Sequence, residues 1–186
     1  MQIRALKAVL DFGKVQIWGR AAEQLASYKI EMTKEIGCSI EIANTPEDAV
    51  KGADIIITTT PSKEPIVKME WVSPGTHIIA VGADMEGKQE LEASLFDKAK
   101  IVVDHLQQCM TRGETQSPLK AGVIKEEDIH CEIGQILLGK KPGRESDSEI
   151  TIFDTTGMAV QDNVTAAKLY EGALALGLGK YYDFME

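Results

Sequence analysis

Cysteine is scarce in this chain. Cys38, Cys109 and Cys131 stand far apart among 186 residues, with no C-x-x-C spacing and an odd count. They frame neither a disulfide scaffold nor a zinc site, so packing thiols in a reduced compartment are expected. The three histidines, His77, His105 and His130, show no metal-ligand spacing with one another or with the cysteines; surface and cap roles are expected of them. No apolar run is long enough to span a bilayer. The opening MQIRALKAVLDF carries charges at helical spacing and lacks the apolar centre of a signal peptide. Basic residues are outnumbered, 20 Lys and Arg against 29 Asp and Glu, for a formal net charge of -9. That balance argues against nucleic acid or an anionic membrane as a partner. What is left is the composition of a soluble, cytoplasmic α/β protein, 44% hydrophobic and 26% charged. One real core is expected, as one domain or a domain plus an appendage.

The stretch around which the rest is organised runs from Asp54 to Leu91. Two β-branched runs, Asp54–Thr60 and His77–Ala83, end abruptly in small, polar or Gly/Pro residues. Short apolar runs bounded by turn signals read as strands buried on both faces, as in parallel sheets. Before them, Met1–Phe12 reads as a helix closed by Gly13, Lys14–Trp18 as a strand, Ala21–Ile36 as a helix closed by Gly37, and Ser39–Ala43 as a strand. Thr45-Pro46-Glu47-Asp48 is a helix start: a hydroxyl N-cap, proline in the first turn, and acids on the positive end of the dipole. A short turn is expected near Met69–Val72. After the organising stretch, Glu90–Ala99 reads as a helix and Ile101–Asp104 as a buried strand. Leu106–Gly122 is polar and hard to place; Ile124–Ile129 and Glu132–Leu138 read as short helices. Lys140–Ser148 is a charged loop, Glu149–Phe153 a last strand, and Ala159–Gly177 a long helix. Strands alternating with helices mean βαβ units and a doubly wound sheet.

In such sheets ligands sit outside the carboxyl ends of the strands. Thr58 to Ser62 and Val81 to Asp84 would line that crevice, and Asp84 is its one carboxylate. Gly82 lets backbone come close to a ligand. From position alone, Asp84 is equally a catalytic group and a turn or N-cap aspartate. Arg20 lies just past the strand Lys14–Trp18; were that the second strand of a dinucleotide fold, an acid here would bind ribose hydroxyls and an arginine could meet a 2′-phosphate. Trp18-Gly19-Arg20-Ala21 holds no acid, which favours NADP over NAD, against the plain reading of a solvated arginine. No G-x-G-x-x-G occurs anywhere in the chain.

The stretches VQIWGR, ADIIITTTPSKEPIV, WVSPGTHIIAVGADMEGKQEL, KAKIVVD, GRESDSEITIFDTTGMAVQD and AAKLYEGAL together resemble the ornithine cyclodeaminase / mu-crystallin family, and within it the archaeal-type alanine dehydrogenases. The resemblance runs nearly end to end. It implies an NAD- or NADP-dependent oxidoreductase acting on an amino acid, keto acid or imine, in a protein that forms homodimers. Its alternatives are a non-catalytic binding protein like mu-crystallin, or an inactive truncated remnant.

By the same resemblance Asp84 is the catalytic acid/base, in the family's VGAD-GK-EL motif, while Lys88 and Glu90 are expected in solvated-loop and helix-start roles. Gly19, Arg20, Thr59, Thr60, Pro61, Val81, Gly82, Thr155 and Thr156 are implied cofactor contacts. Thr155-Thr156-Gly157 reads equally as an N-cap for the last helix. Arg144 looks like a structural arginine of the family.

The chain opens at what corresponds to the first Rossmann helix, so the first strand, its glycine turn and the N-terminal substrate and dimerising domain are expected to be missing. The expected layout is a truncated dinucleotide-binding domain over residues 1–148, and a C-terminal strand and helix over 149–186 that pack back on that N-terminal domain. The expected fold is a doubly wound, Rossmann-like parallel sheet lacking its first strand, which leaves two half-sheets with unpaired inner edges. Self-association or poor solubility of the chain follows as an expectation, as does the absence of turnover, because the groups that hold the substrate carboxylate lie in the missing part.

Overall fold

A computed structural model describes residues 2–182. In chain order the elements are α1 (Gln2–Lys7), β1 (Lys14–Ile17), α2 (Ala22–Ile36), β2 (Ser39–Ile42), α3 (Pro46–Val50), β3 (Ile55–Thr58), β4 (His77–Ala80), β5 (Ala99–Val103), α4 (Leu106–Arg112), α5 (Gln116–Lys120), β6 (Ile129–Glu132), α6 (Ile133–Leu137), β7 (Ile150–Asp154) and α7 (Ala159–Leu176). Single 3-10 turns lie at Met69–Trp71, Ala93–Leu95 and Glu126–Asp128.

Every named strand pairing is parallel. The strands form two sheets, one of order β1-β2 and one of order β3-β4-β7-β5-β6. This is the Rossmann-like α/β architecture that the alternation of strand and helix signals predicts. The split follows the gap expected between β1 and β3.

The main core lies around the five-stranded sheet, where Ile78, Leu95, Val103 and Ile152 are fully buried and Phe96 and Ile101 nearly so. A second, smaller cluster of Ile3, Met32, Ile36, Cys38 and Ile40 serves the two-stranded sheet. Both long helices end on a left-handed glycine, Gly37 with φ 72° and Gly177 with φ 64°, the conformation a side chain resists. The start of α3 is as read: Thr45 accepts from the Asp48 amide at 3.0 Å, and Asp48 accepts from the Thr45 amide at 3.1 Å. Arg144 donates to the carbonyls of Gly75 and Glu149, at 2.8 and 2.6 Å, and so ties its loop to the amino end of the sheet.

Two readings of local structure are corrected, and one stretch left unplaced is assigned. Glu90–Ala99 holds only the 3-10 turn: Leu91 bridges Val67, and the amides of Glu90 and Leu91 are taken by the Glu114 carboxylate. Ile129–Glu132, placed at the junction of two helices, is the outermost strand β6. The stretch 106–122 carries two helices, α4 and α5.

Two compact units divide the chain, the first ending at Thr156 and the second starting at Gly157. Strand β7 lies inside the five-stranded sheet, between β4 and β5, so it belongs to the first unit. The second unit is built on α7, whose Val160, Val164, Leu169 and Leu174 side chains are exposed.

Candidate functional site

Because β3, β4 and β7 are parallel neighbours, the segments that follow them emerge at one edge of the sheet. Thr59, Thr60 and Pro61 follow β3; Val81, Gly82 and Asp84 follow β4; Thr155 and Thr156 follow β7. The end of β1 meets the end of β3 across a cavity of about 1050 Å³. Gly19, Arg20, Thr59 and Thr60 line it together, with Trp18 and Glu90. Pro61, Val81, Gly82, Thr155, Thr156 and Asp84 do not line this cavity.

Arg20 is exposed at its mouth. The Thr60 hydroxyl is buried and has no hydrogen-bond partner among the described residues, and the same holds for Thr58. A buried hydroxyl without a partner is costly, and Thr60 is among the cofactor contacts that the resemblance implies. Hydroxyls in need of partners, a glycine and an arginine at one sheet edge suit a ribose-phosphate group.

The packing beneath this edge comes from carboxylates that the sequence reading missed or misplaced. Glu90 is fully buried rather than solvated. Its Oε1 accepts from the Thr60 amide at 2.6 Å and its Oε2 from the Gly82 amide at 3.1 Å, so one side chain clamps the ends of β3 and β4. A Cβ at Gly82 would collide with that carboxylate and with the Thr60 carbonyl. The space beside Gly82 is taken up by Glu90 and the Thr60 carbonyl.

Glu114, also fully buried, accepts from the Glu90 and Leu91 amides through Oε1 at 2.7 and 2.6 Å. Burial pushes its carboxyl up to about 8. Asp154, at the end of β7, accepts from the amides of Glu114 and Thr115 at 3.1 and 2.9 Å and from the Thr115 hydroxyl at 2.6 Å; burial raises it to about 6. Asp104, which follows β5, accepts from the Thr155 hydroxyl at 2.7 Å and the Thr156 amide at 2.9 Å. Thr155 and Thr156 are thus held by the sheet, and α7 starts after Met158, so neither threonine caps it. The signal for the two aspartates was present in the sequence: each ends a buried β-branched run, IVVD and ITIFD.

Asp84 stands apart from this lattice. Its side chain is 51% exposed and ion-paired with Lys88, which holds the carboxylate below its usual range. It borders a shallow cavity of about 330 Å³ with Met85, Glu86, Thr111 and Arg112. An ionised carboxylate with a lysine partner, at the carboxyl end of a strand, can accept a proton from a group brought to it. Among the described residues no cluster of three or more His, Cys, Asp or Glu could hold a metal ion. Cys109 is buried, and burial raises its thiol further from reactivity. No helix among the described residues is long and apolar enough to cross a membrane.

Comparison with known proteins places this arrangement. Alanine dehydrogenase of Archaeoglobus fulgidus is 45% identical over 186 residues, covering 98% of this chain and 56% of that protein. The solved archaeal alanine dehydrogenase dimer with bound NAD superposes with a TM-score of 0.90 at 45% identity, over 98% of this chain and 56% of that one. Delta(1)-pyrroline-2-carboxylate reductase of Thermococcus litoralis, solved with NADH and L-proline, superposes with a TM-score of 0.94 at 34% identity, over 97% and 56% of the two chains. The chain therefore spans little more than half the length of these relatives. The profile of the ornithine cyclodeaminase/mu-crystallin family matches residues 1–176, and the chain belongs to that family.

Proposed function

We propose that this chain is the cofactor-binding part of an NAD(P)-dependent oxidoreductase, one that moves hydride to or from the α-carbon of an amino acid or its imine. The observation that carries this is the meeting of Gly19, Arg20, Thr59 and the unpartnered Thr60 hydroxyl in one cavity at the carboxyl edge of a parallel sheet. It is supported by relatives solved with NAD or NADH in place. When bound, the nicotinamide supplies the two-electron acceptor or donor.

The chain's own residues have distinct tasks. Thr59 and Thr60 hydrogen-bond the ribose, and Glu90 fixes the Thr60 backbone to that of Gly82. Arg20, with no acid between Trp18 and Ala21, favours the 2′-phosphate of NADP. Asp84 takes a proton from the substrate amine or from the attacking nucleophile, and Lys88 keeps it ionised for that task. The small-molecule partner is an amino acid, keto acid or imine. The larger partner is a second copy of the whole protein, as in the archaeal dimer.

A second reading, a binding protein without turnover, is favoured by one observation: Asp84 is half exposed and does not line the larger cavity. The experiment joins the N-terminal portion of the Archaeoglobus relative to this chain and follows nicotinamide absorbance with alanine, ornithine and proline. Amino-acid-dependent reduction of NAD(P) by the fusion, and none by the 186-residue chain, is expected. A fusion that binds dinucleotide but turns over none of the three would support the binding reading.

A further inference from the structure

Asp84 and Lys88 meet because the chain turns back on itself between them. Met85 to Lys88 form a β-turn, closed by a hydrogen bond from the Lys88 amide to the Met85 carbonyl at 3.2 Å. Gly87, at the third position, has φ 80°, a conformation that such a turn requires and that a side chain resists. Asp84, Met85, Glu86 and Gly87 are all exposed. Exposed turns with few buried contacts lie at the low-stability end of a fold. A hold on this one has to come from outside it.

Gln116, the first residue of α5, supplies that hold. It is buried, and its amide group spans the turn. Oε1 accepts from the Gly87 amide at 2.9 Å, while Nε2 donates to the Met85 carbonyl at 3.2 Å and to the Gly113 carbonyl at 2.9 Å. Both N–H groups and the oxygen are engaged, so the amide fits in one orientation, nitrogen against two carbonyls and oxygen against an N–H. The bond to Gly113 joins this grip to the next two residues, Glu114 and Thr115, whose amides are held by Asp154 at the end of β7. The turn is thereby referenced to the sheet. Two further contacts join it to α5. One is the ion pair of Lys120 with Glu86, exposed on both sides and so worth little. The other, from the Ser117 hydroxyl to Gln89 Oε1 at 2.6 Å, falls beyond the turn.

We infer that Gln116 is a positioning residue for Asp84: by gripping Met85 and Gly87 it fixes the turn that returns Lys88 to the Asp84 carboxylate. The inference rests on the reading of Asp84 as the proton acceptor and adds what keeps that acceptor in place. The Lys88 side chain is 18% exposed, far less than that of its partner, so the lysine is the member of the pair that the fold holds. Without Gln116 the two ends of the turn part from α5, and Lys88 spends less time at the carboxylate. Asp84 then loses the neighbour that favours its ionised form.

The test reads the Asp84 titration by carboxyl NMR in the 186-residue chain, which holds all three residues, and turnover in the fusion with the N-terminal portion of the Archaeoglobus relative. Gln116→Met keeps an unbranched side chain and removes all three hydrogen bonds. Gly87→Ala strains the same turn from the solvent side, where a Cβ would meet open space, and leaves Gln116 untouched; it carries the test if Gln116→Met does not fold. In both variants Asp84 is expected to titrate at a higher pH than in the wild type. In the fusion, turnover should fall by roughly tenfold to a hundredfold and the acidic limb of its pH profile should move up, with the dissociation constant for NADH unchanged. Gln116→Met added to Lys88→Met should move Asp84 no further, because the two act along one path. An unmoved Asp84 titration in a folded variant, or a further rise in the double variant, would overturn the inference. So would a loss of NADH affinity as large as the loss of turnover, which marks a general structural role. If the titrations behave as expected but turnover survives Asp84→Asn, the hold of Gln116 on the pair stands and the reading of Asp84 as the base falls.

Discussion

Replacing Glu114 with Gln tests whether the buried carboxyl beneath the site is neutral. Its Oε1 accepts two backbone amides, whereas its buried Oε2 has no partner among the described residues. Burial raises the group from 4.5 to about 8. The folded state therefore holds this proton more tightly than the unfolded chain. The stability it contributes is complete below about pH 4.5 and is lost as pH rises through 8.

Asp154, raised from 3.8 to about 6, acts with the same sign over a lower window. His77, lowered by burial, acts with the opposite sign below its ordinary value of 6.5. The interval from pH 6.5 to 8 thus isolates Glu114. At about 1.4 kcal/mol per pH unit, the wild type should lose up to roughly 2 kcal/mol across it. The Glu114→Gln variant keeps the acceptor for Glu90 and Leu91, so it should match the wild type within ~1 kcal/mol at pH 6 and show no such decline. Urea unfolding across this range, followed by tryptophan emission and circular dichroism, measures both slopes. Equal slopes in the two proteins would refute the reasoning. So would a Gln variant several kcal/mol weaker at pH 6, because the ionised form would then be the one that holds the amides.

Other substitutions probe the rest of the lattice and the site. Glu90→Ala strips the Thr60 and Gly82 amides of their acceptor at a fully buried position, and urea unfolding should show a loss of roughly 2–6 kcal/mol; a loss below 1 kcal/mol would mean that water or another group replaces the clamp. Lys88→Met removes the largest cause of Asp84's lowered pKa, and a carboxyl NMR titration should place the group back at its ordinary value. Arg20→Asp, made in the fusion with the N-terminal portion of the Archaeoglobus relative, should lower the preference for NADPH over NADH at least tenfold, about 1.4 kcal/mol; an unchanged ratio of Michaelis constants would remove Arg20 from cofactor selection.

Most strands were legible because each is a short β-branched run cut off by turn residues, as in IIIT before Pro61 and HIIA before Gly82. The cap at Thr45 and the helix stops at Gly37 and Gly177 are local events written in local residues. The failures are nonlocal. Glu90–Ala99 has helical composition, yet a carboxylate 24 residues away captures the Glu90 amide, and pairing with Val67 holds Leu91 extended. The strand IHCE carries a histidine and a glutamate and reads as strand only beside β5. Asp84 was singled out by its motif, while Glu90 in the same motif passed for a solvated helix-start acid. Nothing in a glutamate's near neighbours announces that two strand ends will close over it.

The central claim, that one carboxylate after β4 handles the protons of a nicotinamide-coupled reaction, is tested most directly by Asp84→Asn in the same fusion, with turnover and dinucleotide affinity measured side by side. The account predicts that turnover falls by a factor on the order of 10² to 10⁴ while the dissociation constant for NAD(P)H is unchanged. Turnover that survives the substitution would contradict it.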